Sequence, residues 1–447
     1  MTNASGSATD RPAVVRVGLL GCGNVGAPLV DLLAERSTAV VAGSGVELQL
    51  AGIAVRSVAK DRGLDVDQKL FTTDAESLVT DPAIDIVVEL IGGIEPARSL
   101  ILQALEAGKP VVTGNKELLA NHGAELYAAA EAAGVDLLFE ASAAGAIPII
   151  RPLRESLLGE DVRSIMGIVN GTTNYILTRM AEEGVDYDEV LADAQRLGYA
   201  ERDPTADVEG YDAGAKAAIM ASIAFGANVV AGDVYHEGIA DIGQADIEFA
   251  RRFDYTIKLL AIAERFDRPG ADGDEPEIGV AVYPAMVPDD HPLASVRGSF
   301  NAVFVEGQAA GELMFYGRGA GGLPTASAVL GDLVDAAANL RRGTFHPVPS
   351  GPRARIRPID ELETAYYVGL DVGDHPGVLS KVAGVFGRHD VSILAMQQES
   401  PTDEAATGAK VAFITHVAKE RDIQATVADL RHLDEVNDIH SLLRVIS

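Results

Sequence analysis

A chain of 447 residues with 47% hydrophobic content, few aromatics and no tryptophan has room for roughly two to four domains with aliphatic α/β cores. Its formal net charge of −30 argues against non-specific binding to nucleic acid or acidic membrane, so any anionic ligand has to meet a local cationic pocket. The single cysteine, Cys22, cannot close an intrachain disulfide, no apolar run reaches the roughly 20 residues that span a bilayer, and MTNASGSATDRP lacks an apolar signal region, so a cytoplasmic location is expected.

After that polar leader, residues 1–12, AVVRVGLLGCGNVGAPLVDLLAERS runs from an apolar strand through Gly21, Gly23 and Gly26, with Asn24 and Val25 between them, into an amphipathic helix. Strand, glycine turn and helix in this order offer free N–H groups to a pyrophosphate, which points to a dinucleotide site; a merely tight turn is the alternative. The next strand, VELQLAGIAVRS, ends on Arg56 where an NAD enzyme often has an acidic residue, with Lys60 behind it. That pair suits the 2′-phosphate of NADP or is simply solvated. IDIVVELIGG, EPARSLILQALEAG, KPVVTGNK, ELLANHGAELYAAAEAAG and VDLLFEAS continue the alternation as strand, helix, strand, helix, strand. A doubly wound parallel sheet over residues 13–150 is predicted, with Gly92, Gly93, Thr113, Asn115 and Lys116 on the cofactor side. A lysine opening a helix works against the helix dipole, so Lys116 is a candidate site residue; a solvated lysine is the alternative.

LLFEAS empties into AAGAIPII, where Glu140 is the only charge near a turn of small residues. Glu140 either caps that turn or, with backbone carbonyls, binds a hard cation such as Na⁺ or K⁺. VRSIMGIVNGTTNYIL reads as a strand followed by a polar loop, Asn170 to Asn174, at the mouth of a helix. In GYAERDPTADVEGYDAGAKAAIMASIAFG, Asp207 is placed to cap a helix beginning at Val208, and Asp212 and Lys216 share one face of it. With apolar neighbours on nearly every side, Lys216 is expected to be half buried, held by Asp212, and able to give a proton to an oxygen acquiring charge. ADIEFARRFDYTIKLLAIAERF reads as one helix; EIGVAVYPAMV, FNAVFVEG and GELMFYG read as strands, and DRPGADGDEPE as an exposed acidic loop. His236 reads as an interior histidine rather than a catalyst. These elements make 151–319 a second α/β domain, for catalysis, substrate binding and dimerisation. GRGAGGLPTASAV, with Gly321 and Gly322, returns the chain at about 320–342 to the nucleotide domain as a helix.

The Pro-rich stretch 343–362 reads as a linker. Residues 363–447 then alternate as βαββαβ, the ferredoxin-like plan. The turn DVGDHPGVLSKVAGVF is similar to the ligand loop of an ACT domain, with Asp374, Pro376 and Gly377 ahead of a helix N-terminus. Nothing in this module looks catalytic, and a chain cut after about residue 350 is expected to keep the chemistry.

GCGNVG, TGNK, FEASAAGAIPII, NGTTNYIL, GYAERDPTADVEGYDAGAKAAI and GRGAGGLPTASAV stand in the order and rough spacing of homoserine dehydrogenase. The C-terminal part resembles that of its monofunctional bacterial members with an ACT domain. The resemblance implies interconversion of aspartate 4-semialdehyde and homoserine, with NADP or NAD as cofactor. It makes Lys216 the general acid/base, Asp212 and Asp207 the carboxylates that orient lysine and substrate, Glu201 the substrate-binding glutamate and Lys116 the second lysine. Thr172 joins the substrate set, and Gly92, Thr113 and Gly321 the cofactor set. The resemblance also implies a monovalent cation at Glu140 with the backbone oxygens of Ala143, Gly145 and Ile147, threonine as effector at the ACT loop, and a homodimer or homotetramer. The alternatives are another semialdehyde dehydrogenase of this architecture and a non-catalytic amino-acid sensor; the sensor has no need of Glu201, Asp212 and Lys216 together.

Overall fold

The computed structural model describes residues 12–266, 277–348, 351–399 and 408–446. The leader before Pro12 and nearly all of the acidic loop at 267–277 lie outside them. The chain divides into two compact units: Met1–Gly159 with Ser222–Val230 and Arg318–Pro352, and Glu160–Ala221 with Ala231–Gly317 and Arg353–Ser447.

The first unit holds a parallel sheet of β1 (Ala13–Leu20), β2 (Val46–Ala54), β3 (Phe71–Thr72), β4 (Ile86–Glu89), β5 (Val111–Thr113) and β6 (Leu137–Leu138), in the order β3-β2-β1-β4-β5-β6. Val17, Leu19 and Leu20 of β1 are fully buried, as expected of a strand covered on both faces. Helices α1 (Gly26–Ser44), α2 (Ala75–Thr80), α3 (Ala97–Glu106) and α4 (Lys116–Ala133) connect the strands. The order reverses between β1 and β4, which opens a crevice at the carboxyl ends of those two strands.

In the second unit the chain runs through β7 (Val162–Ile168), α5 (Gly171–Glu183), α6 (Tyr187–Leu197), α7 (Thr205–Val208), α8 (Tyr211–Phe225), β8 (Tyr235–His236), α9 (Gln244–Arg252), β9 (Tyr255–Phe266), β10 (Glu277–Pro288), β11 (Phe300–Gly307) and β12 (Gly311–Arg318). The long strands order as β12-β11-β7-β9-β10, and β8 pairs with β10. Two expectations are corrected here. The single helix expected over 245–266 is α9 followed by β9. Asp254, at φ 61°, turns the chain between them, and TIKLLAIA is buried on both faces of a strand, a pattern whose periodicity does not distinguish strand from helix. Asp207 lies inside the short α7 and does not cap a helix starting at Val208.

Helix α10 (Gly322–Arg342) belongs to the first unit and packs its Ala326, Val329, Leu333 and Ala337 into the core around β1. The C-terminal part comprises β13 (Arg355–Ile356), β14 (Glu363–Val372), α11 (Val378–Arg388), β15 (Ile393–Glu399), β16 (Ala409–Thr415), β17 (Ala418–Lys419), α12 (Glu420–Leu430) and β18 (Val436–Val445). Its antiparallel sheet, β18-β14-β16-β15, shares a core with both helices through Tyr366, Val368, Phe386, Phe413 and Val427. This sheet is continuous with that of the same unit: β18 runs parallel to β10 at Ala285↔Arg444 and Met286↔Val445, and β13 pairs with Glu277 and Ile278. Residues 353–362 are therefore not a free linker, since Ile356 is in the sheet and Ile359 packs on the β10 core.

Candidate active site

The glycine loop follows β1. Gly21 has φ 93°, and a Cβ there would stand 2.6 Å from the Leu90 carbonyl oxygen, while a Cβ at Gly26 would overlap the Gly21 oxygen. Only glycine fits either place. No side chain caps α1, whose N-cap is Val25; Ala27 N–H donates to the Gly23 oxygen at 3.0 Å and Pro28 has no N–H, so the N–H groups left for an anion are those ahead of them, around Asn24. A cavity of about 560 Å³ adjoins the loop, lined by Gly21, Gly23, Arg56, Lys60 and Arg62 among others. Arg56 and Lys60 are exposed at its rim. Arg62 had no distinguishing signal in the sequence. It donates to the carbonyls of Cys22 (3.2 Å), Lys60 (2.7 Å) and Ser57 (2.9 Å), tying the segment after β2 to the glycine loop.

Glu89, fully buried at the end of β4, is a second residue that sequence reasoning missed; its signal was a lone carboxylate closing an apolar strand. It accepts from the N–H groups of Ile91 (2.7 Å) and Gly92 (3.0 Å) and from the Thr113 hydroxyl (2.6 Å). Asn115 caps α4 at Leu118 and donates to the Gly93 oxygen at 2.7 Å. Thr113, Gly92 and Gly93 are thus held together beside the start of α4, where Lys116 stands half-buried. Gly321 precedes α10 at φ 144°, and a Cβ at Gly322 would overlap the Asn24 oxygen, so α10 begins against the glycine loop.

In the second unit Lys216 and Asp212 are more deeply buried than expected, at 8% and 9% exposure. Lys216 Nζ donates to Asp212 Oδ2 and to the Val169 carbonyl, both at 2.6 Å. Asn170, the N-cap of α5, donates from one amide nitrogen to Asp207 Oδ1 (2.7 Å) and Asp212 Oδ2 (2.9 Å). The residues Asn170 to Asn174 are therefore a cap and a first helical turn rather than a loop. The buried Thr172 hydroxyl donates to the Tyr199 carbonyl at 2.8 Å. Glu201 is not drawn into this cluster: it is exposed between α6 and α7, and its carboxylate has no hydrogen-bond partner among the described residues. His236 is half-buried, which lowers its pKa, and its ring packs tilted against Tyr211 with centroids 5.0 Å apart.

The Glu140 carboxylate accepts from the N–H groups of Ile149 (2.5 Å), Ile150 (2.8 Å) and Arg151 (2.8 Å), and its own N–H donates to Asp332 of α10. Burial, with the Glu140 carboxylate beside it, pushes Asp332 up to about 7. The carbonyls of Ala143, Gly145 and Ile147 accept no backbone hydrogen bond among the described residues, although all three residues are buried. Gly145, at φ 67°, lies so close to Gly319 that a Cβ would overlap its oxygen. In the C-terminal module Asp374, Pro376 and Gly377 form an exposed turn after β14, Gly377 at φ 97° being the N-cap of α11.

Three family models match this chain: one described as homoserine dehydrogenase over 148–334, its NAD-binding domain over 21–140, and the ACT domain over 366–435. A Mycobacterium tuberculosis protein named homoserine dehydrogenase is 51% identical over 434 residues, which cover 96% of this chain and 97% of that one. The chain belongs to the homoserine dehydrogenase family. A solved homoserine dehydrogenase from Thiobacillus denitrificans is 39% identical, covers 97% of this chain and 98% of its own, and superposes with a TM-score of 0.90. A hyperthermophilic archaeal homoserine dehydrogenase solved in complex with NADPH is 30% identical over 72% of this chain and 97% of its own, at a TM-score of 0.60. The protein is an oxidoreductase of the CH–OH group that interconverts aspartate 4-semialdehyde and homoserine with a nicotinamide cofactor. Its C-terminal module is an ACT domain. Among the described residues no helix is long and apolar enough to cross a membrane.

Proposed function

We propose that Lys216 is the general acid/base of this reaction, in a cytoplasmic enzyme that prefers NADP. The observation that carries the reading is the chain from half-buried Asp207 through buried Asn170 and Asp212 to Lys216, in which every polar partner fixes the next. The bound cofactor supplies a hydride to the aldehyde carbon. The carbonyl oxygen then acquires charge, and Lys216 gives it a proton; in the reverse direction the Lys216 amine takes the hydroxyl proton. Asp212 orients the ammonium, and Asp207 with Thr172 shapes the substrate side. The resemblance makes Lys116, at the start of α4, the second lysine of the reaction. Glu201, exposed and with no hydrogen-bond partner for its carboxylate among the described residues, is available to the substrate ammonium.

NADP preference rests on Arg56 and Lys60 at the rim of the glycine-loop cavity, where their charges suit a 2′-phosphate. The pyrophosphate fits the uncapped start of α1 at Gly21, Gly23, Asn24, Val25 and Gly26, with Gly92, Thr113 and Gly321 bordering the nicotinamide side. For a monovalent cation, Na⁺ or K⁺, the fitting donors are the unengaged carbonyls of Ala143, Gly145 and Ile147 together with Glu140, an all-oxygen set suited to a hard ion. Threonine is the proposed effector at Asp374, Pro376 and Gly377, in a homodimer or homotetramer. The test is NADPH oxidation with a panel of aldehydes: preference for aspartate 4-semialdehyde is expected. Equal turnover of simpler aldehydes would assign the site to another semialdehyde dehydrogenase.

A further inference from the structure

Arg444 of β18 is 4% exposed and meets two carboxylates. Its Nε donates to Glu420 Oε2 at 2.9 Å, one terminal nitrogen stands 2.9 Å from the same oxygen, and the other forms an ion pair with Glu237 Oε2 at 2.9 Å. The guanidinium lies over the rings of Tyr283 and Tyr235, 4.4 and 5.6 Å from their centroids. Glu420 also accepts from the Tyr366 hydroxyl at 2.8 Å, and Glu237 from the Tyr235 hydroxyl at 2.7 Å. A guanidinium this buried needs such pairing, and its two partners differ in origin. Glu420 is part of the ACT module. Glu237 follows β8.

The segment 235–239 is in turn the seat of the segment that leads into α8. Ile239 N–H donates to the Val208 oxygen at 2.9 Å, and Glu237 N–H is fixed to Val282 of β10 at 2.7 Å. A Cβ at Gly238 would stand 2.6 Å from the Val208 oxygen, and one at Gly210 would stand 2.9 Å from Val282. A Cβ at Gly214 would overlap His236 Nε2, so the imidazole rests directly on the α8 backbone between Asp212 and Lys216. Three glycines allow a contact too close for any other residue, and such packing transmits a shift instead of absorbing it.

We propose that Glu237 is a positioning residue for the reaction: gripped by Arg444 of the ACT module, it sets the seat on which Asp207, Asp212 and Lys216 take their places. The inference rests on the reading of Lys216 as acid/base. It joins the C-terminal strand to the proton-transfer group through Arg444, Glu237, His236 and the backbone at Gly214.

The test uses the full-length enzyme and four single variants, Glu237→Gln, His236→Ala, Lys381→Met and Lys216→Ala, with the double variant Glu237→Gln/His236→Ala. Each is assayed for kcat, KM for the semialdehyde, NADPH affinity and thermal midpoint. Glu237→Gln is expected to lower kcat about tenfold, less than the ~10²-fold cost of a full ångström of misplacement, with KM and NADPH affinity within about twofold. His236→Ala should act similarly, and the double variant should fall no further than the worse single one, because both act through one seat. Lys381→Met, which breaks the Lys381–Glu435 ion pair elsewhere in the ACT module, should leave kcat unchanged. An unchanged kcat in Glu237→Gln, beside an inactive Lys216→Ala, overturns the proposal while sparing the acid/base reading. Additive losses in the double variant overturn it as well. Turnover that survives Lys216→Ala removes the acid/base reading and the proposal with it.

Discussion

Two buried lysines in the second unit are built for different ends. Lys216 is matched to a carboxylate and a carbonyl at 2.6 Å each, and its helix places it beside Asp212 at the spacing that favours an ion pair. Lys216→Ala is expected to lower kcat by at least about 10²-fold while cofactor affinity stays near that of the parent, as steady-state kinetics and NADPH titration will read. Lys258 is 2% exposed and donates to Asn174 Oδ1 and the Val296 carbonyl, with no ion pair among the described residues. Burial, with Arg297 nearby, lowers its pKa from 10.5 to about 8. The unfolded chain then holds more protons than the folded one between those values, so Lys258 makes stability rise with pH from about 8 to 10.5. The slope is at most about 1.4 kcal/mol per pH unit. Urea unfolding of Lys258→Met between pH 7.5 and 10 should lack that rise. At the cofactor site, Arg56→Ala should weaken NADPH by about 1–3 kcal/mol and NADH far less, because the lost contact is charge-assisted. Equal losses in parallel titrations would place Arg56 away from the 2′-phosphate.

Helix α10 returns to the nucleotide unit and begins against Asn24, with no room for a methyl group at Gly322. Gly322→Ala should therefore push the helix start from the glycine loop, at an overpacking cost of about 1–3 kcal/mol, and weaken both cofactors alike. A lowered thermal midpoint with unchanged cofactor affinity would separate the packing from the binding. Elements with a strong local pattern were legible: the glycine loop, α1, α4 and the strands β10 to β12 all stand where periodicity and turn chemistry put them. The part of 245–266 that became β9 was not, because an apolar run buried on both faces carries no period to read. Asp207 shows the same limit at a helix end. Its residue type suits a cap, but the fold uses it as the acceptor of the Asn170 amide, 37 residues earlier in the chain.

For the whole molecule, the continuity of the ACT sheet with β10 changes what truncation means. A chain cut after about residue 350 loses β13, Ile359 and β18, strips β10 of its partners at Glu277–Ile278 and Ala285–Met286 while β8 still pairs with it between them, and uncovers Tyr283, which Arg444 covers. The detachable module expected from the Pro-rich stretch is therefore replaced by one that completes a sheet. Regulation is better tested in the intact chain. Threonine should inhibit the full-length enzyme at fixed NADPH and semialdehyde, and Asp374→Ala, in the exposed turn before α11, should lose that response while kcat without threonine is unchanged. A parent enzyme indifferent to threonine would leave the module a purely structural part.

The sequence by itself determined the order of domains, the dinucleotide loop and the Asp212–Lys216 pair, because these depend on contacts within one or two turns of chain. Tertiary structure alone decided the rest of the site. Val169 offers Lys216 a backbone oxygen, which no side-chain pattern announces, and Glu89, Arg62 and Glu237 act through partners up to 207 residues away. Local chemistry is written in residue type and spacing, whereas an acceptor brought from a distant strand becomes visible only when burial forces each polar group to find a partner.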